Sequence, residues 1–452
     1  MTESQPDANI TAQLASEING FAFADIPHDA VEVGKQCLLD WLGVSLAAAA
    51  DPLVEIVAGV AAEDGDRAVC TLIGRGARGS VPQACLINGS MGHALDYDDV
   101  ITNMGHPTVP VAPVVFALAE AGARSGRDLL TAFVAGFELE VRVALLLGPS
   151  HYRRGWHGTA TFGTFGAAAA AARLLGLSVA QQSHAFGIAG TQAAGLKAVF
   201  GTMCKPLHAG KAAANGLLAA RLAHRGFTSN PDILAADQGF GATQSDALDP
   251  AAPLRPAPRG FWVRETLFKH HAACYLTHSA INAARAIVAR EHPNPDYIAT
   301  IEVGVDPAHL KVCAIPRPTT GLEIKFSLAM TTALALVEAN TADDRLYSDA
   351  TAGDPALAAL RDRVTVRPRQ AASPTLSSVR VEMRDGRVFE AEADCARPAD
   401  DIETQWALLG AKFRALCGSR LGADGSDRVV SACRELDRLD DVRPLLALVA
   451  GA

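Results

Sequence analysis

The sequence predicts a mostly α protein: a large all-helical domain over residues 1–265, a smaller α+β domain over 266–396, and a helical tail over 397–452. Three observations carry that expectation. From Ala8 to about Phe227, apolar residues recur at the three- and four-residue spacing of helices that bury one face. After about residue 258 the pattern changes to alternation, as in TIEVGV (300–305), with helical stretches between the alternating runs. From 401 to 451 helical spacing returns, so the tail is expected to pack back on the first domain. A chain of 452 residues also exceeds one ordinary core.

Taken in order, the segments near 30–48, 81–97, 111–124, 127–146, 160–175, 179–194 and 208–224 read as helices. Gly105-His106-Pro107, Gly148-Pro149, Gly176 and Gly226 mark the joints. Ala and Gly are abundant and aromatics make up only 6%, a composition that lets helices approach closely. GFWVRETLF (260–268) has the apolar and branched content of a strand. RVTVRP and VRVEM alternate as strands do, and Asp385-Gly386 marks a hairpin turn into RVFEAEA. Residues 277–290 and 323–337 read as helices among these strands.

Composition narrows the function classes. A net charge of −9 argues against nucleic acid as the partner, and any anionic ligand must be drawn in by a local group of cations. Nine scattered cysteines with no C-x-x-C pair fit free thiols in a reducing compartment better than a disulfide framework or a zinc site. MTESQPDANI lacks the basic and apolar regions of a signal peptide, and no apolar run reaches membrane-spanning length. The expectation is a cytoplasmic protein with no membrane partner.

Four stretches carry chemistry. In HALDYDDVITNMGHP (93–107), Asp96, Asp98 and Asp99 stand between His93 and His106. Read as a helix end, Asp96 and Asp99 share a face three residues apart while Asp98 points elsewhere. Acids there oppose the helix macrodipole. A solvated helix end is the bland account, yet three acids beside a Gly-His-Pro turn break a local rule in the way functional sites do. A carboxylate held near cations is a candidate general base or substrate-orienting group. His93, Asp96, Asp99 and His106 would also suit a divalent ion, and a metal-dependent hydrolase is the alternative from another class. No second ligand cluster and no HEXXH accompany them, so no metal is expected.

In RGWHGTATFG (154–163), His157 precedes a helix whose start carries Thr159 and Thr161, hydroxyls and free N–H groups that suit an anion. In GTMCKPLHAGKAAANG (201–216), Lys205 sits at a helix start, the wrong charge for the dipole unless an anion offsets it, with His208 a turn further on. In KHHAACYLTH (269–278), Lys269, His270 and His271 follow the expected domain boundary, where loops commonly line clefts. No P-loop, G-x-S-x-G elbow or strand-borne GxGxxG is present. Carboxylates, histidines and lysines without a cofactor loop suit proton abstraction beside a carboxylate, where fixed cations stabilise the developing charge. A non-catalytic acid-binding protein is the remaining alternative.

HALDYDD with GHP, then GWHGTATFG, KPLHAGKAAANG, KHHAAC with its TH, and KFSL resemble the MmgE/PrpD family, in the family's order over residues 85 to 330. The resemblance implies a homodimer with a large all-helical domain and a smaller α+β lid, no metal or organic cofactor, and a small-molecule carboxylic acid substrate bound between the domains. Members include 2-methylcitrate dehydratase, cis-aconitate decarboxylase and iminodisuccinate epimerase. It further implies Asp96, His106, His157, Lys205 and Lys269 as catalytic residues. From the four stretches themselves, His93, Asp99, Thr159, His208, His270 and His271 are expected close to substrate. The chain also departs from the family's patterns. Val100 stands where decarboxylases carry a threonine, and Met330 where they carry a tyrosine. VITNM replaces the tryptophan-containing segment of the methylcitrate dehydratases, and KHHAAC replaces a K-P-Y-P-S-C-like run. The reading that results is a lyase on a di- or tricarboxylic acid, a dehydratase ahead of an epimerase or a decarboxylase.

Overall fold

The computed structural model describes residues 9–451 apart from 64, 66 and 103. The first eight residues of MTESQPDANI and Asn103 of VITNM therefore lie outside the described part. The chain forms two compact units, Met1–Thr266 with Asp401–Ala452, and Leu267–Asp400.

The first unit is helical: α1 (Ile10–Gly20), α2 (His28–Ala47), α3 (Pro52–Glu63), α4 (Val81–Gly92), α5 (Thr108–Gly122), α6 (Gly126–Arg153), α7 (Gly158–Leu175), α8 (Val179–Gly190), α9 (Cys204–His224) and the short α10 (Phe240–Gln244). Between α3 and α4 runs a small hairpin of β1 (Cys70–Leu72) and β2 (Ala77–Gly79). Serine caps with a returning side chain three residues on start α4, α6 and α8 (Ser80–Gln83, Ser125–Asp128, Ser178–Gln181). The helix α7, GTATFGTFGAAAAAARLL, is almost wholly buried and packs on α5, α6 and α9. Its small residues make that possible. A Cβ on Gly136 of α6 would come within 2.7 Å of the Gly166 carbonyl of α7, so only glycine permits this crossing.

The second unit carries a four-stranded sheet, β3 (Ile298–Val305), β4 (Val364–Pro368), β5 (Leu376–Met383) and β6 (Val388–Asp394), in the order β4-β3-β5-β6. β3 pairs parallel with β4 and antiparallel with β5, and β5–β6 is the hairpin turned at Asp385-Gly386. Along β5 every second residue is buried, as the alternation of VRVEM requires. Helices α11 (His278–Glu291), α12 (Gly321–Lys325), α13 (Leu328–Leu336), α14 (Asp349–Ala352) and α15 (Pro355–Arg361) complete the unit. Its core joins Ile281, Ile287, Ile301, Val303, Val379 and Val381 from α11 and the sheet.

The chain then re-enters the first unit through α16 (Ile402–Arg434), which lies along α2, and α17 (Arg443–Leu448). A buried ion pair ties α16 down: Lys412 Nζ lies 2.6 Å from Asp40 Oδ1 of α2 and donates to the Tyr97 carbonyl at 2.8 Å. Breaking one half of such a buried pair is costly. The ammonium therefore joins the tail to the Asp-rich segment. Among the described residues no single helix is long and apolar enough to cross a membrane.

Two local expectations fail, for physical reasons. The helix expected over 81–97 ends at Gly92, because the side chains beyond it hydrogen-bond to one another instead of extending the ladder. GFWVRETLF forms a 3-10 turn at Trp262–Glu265 in place of a strand. Its backbone and side chains are tied to helices instead, Trp262 N–H to the Glu138 carboxylate and Arg264 to Asp29.

Candidate active site

After Gly92 the chain turns sharply. His93 caps α4 and Asp96 adopts a left-handed φ of 50°, uncommon for a residue other than glycine. This turn, not a helix face, sets where the aspartates go. Asp96 and Asp98 both reach His106, whereas Asp99 turns away. The pairing expected of Asp96 and Asp99 is thus replaced by Asp96 and Asp98, and Asp98 is the site residue that sequence reading missed. Two residues of spacing on non-helical backbone brings side chains to one side, a signal that the helical reading overrode.

Asp98 is shared by two imidazoles. His93 Nδ1 lies 2.9 and 3.1 Å from its two oxygens, and His106 Nδ1 lies 3.0 Å from Oδ2 without the alignment of a hydrogen bond. Burial alone would raise the Asp98 carboxyl, but the two histidines outweigh it and hold it well below the usual carboxylate range. An ionised Asp98 only accepts, so His93 carries its proton on Nδ1 and leaves Nε2 as a bare acceptor. Burial lowers His93 to about 4 against the pull of Asp98, so this fully buried ring is neutral at neutral pH. The His93 and His106 rings meet edge to face at 4.5 Å.

His106 is held from its backbone. The Gly105 φ of 120° turns the chain, a Cβ there would press to 2.9 Å from Thr159 Oγ1, and that same hydroxyl accepts the His106 N–H at 3.1 Å. Thr159 is fully buried in the first turn of α7 and anchors His106, so it is not the ligand-facing hydroxyl expected. Thr161 is likewise committed, to His151 Nε2 at 2.8 Å.

Lys205 lies in the first turn of α9, and the anion that offsets its charge is Asp96: Nζ stands 2.9 Å from Oδ1. The other side of Asp96 Oδ1 is 3.5 Å from His106 Nε2. Asp96 is the open member of the group, its side chain 47% exposed. His157 caps α7 and faces His208 with Nδ1 to Nδ1 at 2.9 Å, so one ring donates and the other accepts. Burial, with neighbouring Lys205 and histidines, pushes His157 well below the ordinary imidazole range and lowers His208 as well. Phe200, which no sequence pattern marked, packs edge-on against His157 at 4.9 Å and lies under the Lys205 ammonium at 5.5 Å.

One ligand atom each from His93, Asp96, Asp98 and His106 lies within 4.8 Å of the others, the spread a divalent ion needs. Asp98 in this set replaces the Asp99 of the sequence reading. The positive charge beside these carboxylates is already supplied by Lys205. Asp99 faces the other way, accepting from the Thr108 hydroxyl at 2.5 Å and lying near Cys37. Burial raises it to about 7 despite Thr108, so it is a structural acid under α5 and not the substrate contact expected.

Lys269, His270 and His271 belong to the second unit. Lys269 is buried. Both nitrogens of His271 are engaged within that unit, Nδ1 with Thr341 Oγ1 and Nε2 with Asn282 Oδ1, each at 2.8 Å, which corrects its expected role at substrate. The structure thus groups His93, Asp96, His106, His157, Lys205 and His208 in the first unit, with Asp98 added and Asp99 and Thr159 reassigned as supports.

The sequence matches the MmgE/PrpD N-terminal domain over residues 12–252 and the MmgE/PrpD C-terminal domain over 271–437. It is 29% identical to cis-aconitate decarboxylase-like protein oryM of Aspergillus oryzae, covering 100% of this chain and 99% of that protein. It is 28% identical to cis-aconitate decarboxylase of Aspergillus terreus (99% and 98% covered) and 26% identical to the human protein of that name (98% and 95%). With both domains matched in order across most of its length, the chain belongs to the MmgE/PrpD family.

Proposed function

We propose that the protein is a lyase acting on a small di- or tricarboxylic acid, with its own side chains moving the proton. The observation that carries this reading is Asp98 shared between His93 and His106, with the Lys205–Asp96 pair alongside. His106 has Nδ1 toward Asp98, which leaves Nε2 as the working nitrogen, turned to the open carboxylate of Asp96. A substrate carboxylate competes with Asp96 for Lys205, and His106 Nε2 takes the proton from the adjacent carbon. The electron pair moves into that carboxylate, whose extra negative charge Lys205 stabilises. Lys269 is the proposed second carboxylate grip. His157, neutral and tied to His208, serves as a hydrogen-bonding wall rather than a proton donor.

For dehydration, the C–O bond at the neighbouring carbon then breaks, and the His106 imidazolium returns its proton to the leaving hydroxide, releasing water. Decarboxylation is the second reading, favoured by full-length similarity to proteins named cis-aconitate decarboxylase. In that case no proton is first abstracted: the C–CO₂ bond breaks, its electron pair stays on carbon as carbon dioxide leaves, and His106, entering the step already protonated, gives its proton to that carbon. Val100 and Met330 stand where the resemblance leads one to expect decarboxylase threonine and tyrosine, which keeps dehydration first.

Proton NMR in deuterium oxide with citrate, methylcitrate, the aconitate isomers, malate and iminodisuccinate analogues tests both, with and without chelator. Loss of water or solvent deuterium at the carbon beside a carboxylate, surviving chelation, is the expected result. Loss of carbon dioxide instead selects the second reading. Turnover that disappears with chelator would overturn the cofactor-independent mechanism, and no exchange into any acid would remove the lyase assignment.

A further inference from the structure

A lysine from the end of the chain reaches the turn that carries the carboxylates of the candidate site. Lys412, on α16, is 2% exposed, and its ammonium meets three groups. Nζ lies 2.6 Å from Asp40 Oδ1 of α2, donates to the Tyr97 carbonyl at 2.8 Å, and stands 3.8 Å from the centre of the Tyr97 ring. Tyr97 is itself buried and lies between Asp96, with its left-handed φ, and Asp98. All of these residues belong to the first unit.

A buried ion pair is a weak source of stability, since apolar side chains of similar volume often hold a fold as well. Adhesion between α2 and α16 therefore does not account for an ammonium at this place. A grip on the carbonyl does. The Tyr97 carbonyl and the Asp98 N–H share one planar peptide, so a donor fixed on that oxygen also fixes where the Asp98 backbone starts. The cation against the ring holds the same residue from a second side. From that peptide Asp98 reaches His93 Nδ1 at 2.9 Å and His106 Nδ1 at 3.0 Å, and on the other side of Tyr97 Asp96 reaches Lys205. Charge ties α2 to the tail a second time, at the C-terminal end of α16. There Lys35 Nζ lies 2.5 Å from Asp437 Oδ1 and donates to the Arg434 carbonyl at 2.9 Å.

We propose that Lys412 is a positioning residue for the candidate active site: its grip on the Tyr97 carbonyl sets the turn that delivers Asp98 to His93 and His106. Its effect on turnover rests on the lyase reading, whereas its effect on the two histidines does not.

Two double variants of the full chain test it, each checked for folding by circular dichroism. Asp40→Leu/Lys412→Met replaces the pair by apolar side chains of similar size, and Lys35→Met/Asp437→Leu removes the other tie between α2 and the tail. For each, kcat and KM are measured on the acid that the wild type turns over, together with the imidazole nitrogen NMR shifts of His93 and His106. The Lys412 variant is expected to lose about tenfold or more in kcat with KM within about threefold, and to move both histidine shifts. The Lys35 variant keeps kcat and both shifts. If the Lys412 variant does not fold, Asp40→Asn/Lys412→Gln, a neutral pair of shorter reach, takes its place and is read the same way. A kcat or histidine shifts that stay put in the folded Lys412 variant, or equal changes in the Lys35 variant, overturn the proposal. Turnover of no acid by the wild type removes the lyase reading alone, and the histidine shifts then decide for or against Lys412.

Discussion

Asp98 and Asp99 are neighbours in sequence, each only 1% exposed, yet they end in opposite states. Asp98 faces two imidazoles and is held ionised, while Asp99 faces a threonine hydroxyl and a thiol and is raised to about 7 by burial. Desolvation is the first influence on both. What separates them is the partner, since a buried charge persists only where another charge or several donors meet it. One turn of chain therefore presents a charged carboxylate to the candidate site and, to the core under α5, a carboxyl that burial keeps protonated to higher pH.

The largest expected effects fall on the charged face. His106→Ala reduces turnover at least about a hundredfold, because it removes the proposed proton carrier and general acid–base groups contribute on that scale. Near-normal turnover in a folded His106→Ala protein would take it out of the mechanism. Lys205→Ala also costs at least roughly a hundredfold in kcat/KM, through lost stabilisation of carboxylate charge. Unchanged substrate affinity and rate in that variant would sink the anion-grip role.

A smaller effect sharpens the contrast between the two aspartates. Asp98→Asn keeps the shape but removes the charge that orients His106, so kcat falls by about tenfold or more with a shifted pH profile. Asp99→Asn leaves kcat within about threefold, as expected for an acid that burial keeps largely protonated below pH 7 and that contacts Thr108, not His106. Steady-state kinetics on both variants decide the matter, and equal losses would remove the distinction.

Much of this was legible in the sequence. The helical spacing gave the first unit, the alternation of TIEVGV and VRVEM gave the sheet, and the grouping of His93, Asp96, His106, His157 and Lys205 followed from motif content. What escaped detection depended on contacts between segments distant in sequence. The left-handed backbone at Asp96 breaks the helical period, and the partners of its side chain, His106 and Lys205, meet it only in the folded chain, so periodicity assigned Asp98 to the wrong face. Thr159 looked like an anion donor because nothing local reveals that the His106 N–H, 53 residues away in sequence, already uses it. Phe200 belongs to no motif, and its place between His157 and Lys205 arises from how α7 and α9 pack.

The smallest expected effect concerns stability against pH. Asp99 has a folded value of about 7, above the roughly 3.9 of an unfolded aspartate. Between about pH 4 and 7 the folded state therefore binds more protons than the unfolded one, so this group's contribution makes stability fall as pH rises through that window and level off above it. His93 works the other way. Its folded value of about 4 lies below the roughly 6.5 of a free imidazole, so its contribution rises over nearly the same window and masks Asp99 in the wild type. Asparagine at 99 removes only the first of these. The melting temperature of Asp99→Asn, measured against wild type from pH 4 to 8, should climb by several degrees relative to it, at roughly 2–4 °C per kcal/mol for domains of ordinary size. A difference that stays flat across those pH values would mean that Asp99 is ionised in the folded protein, and the two neighbouring aspartates would then share one state.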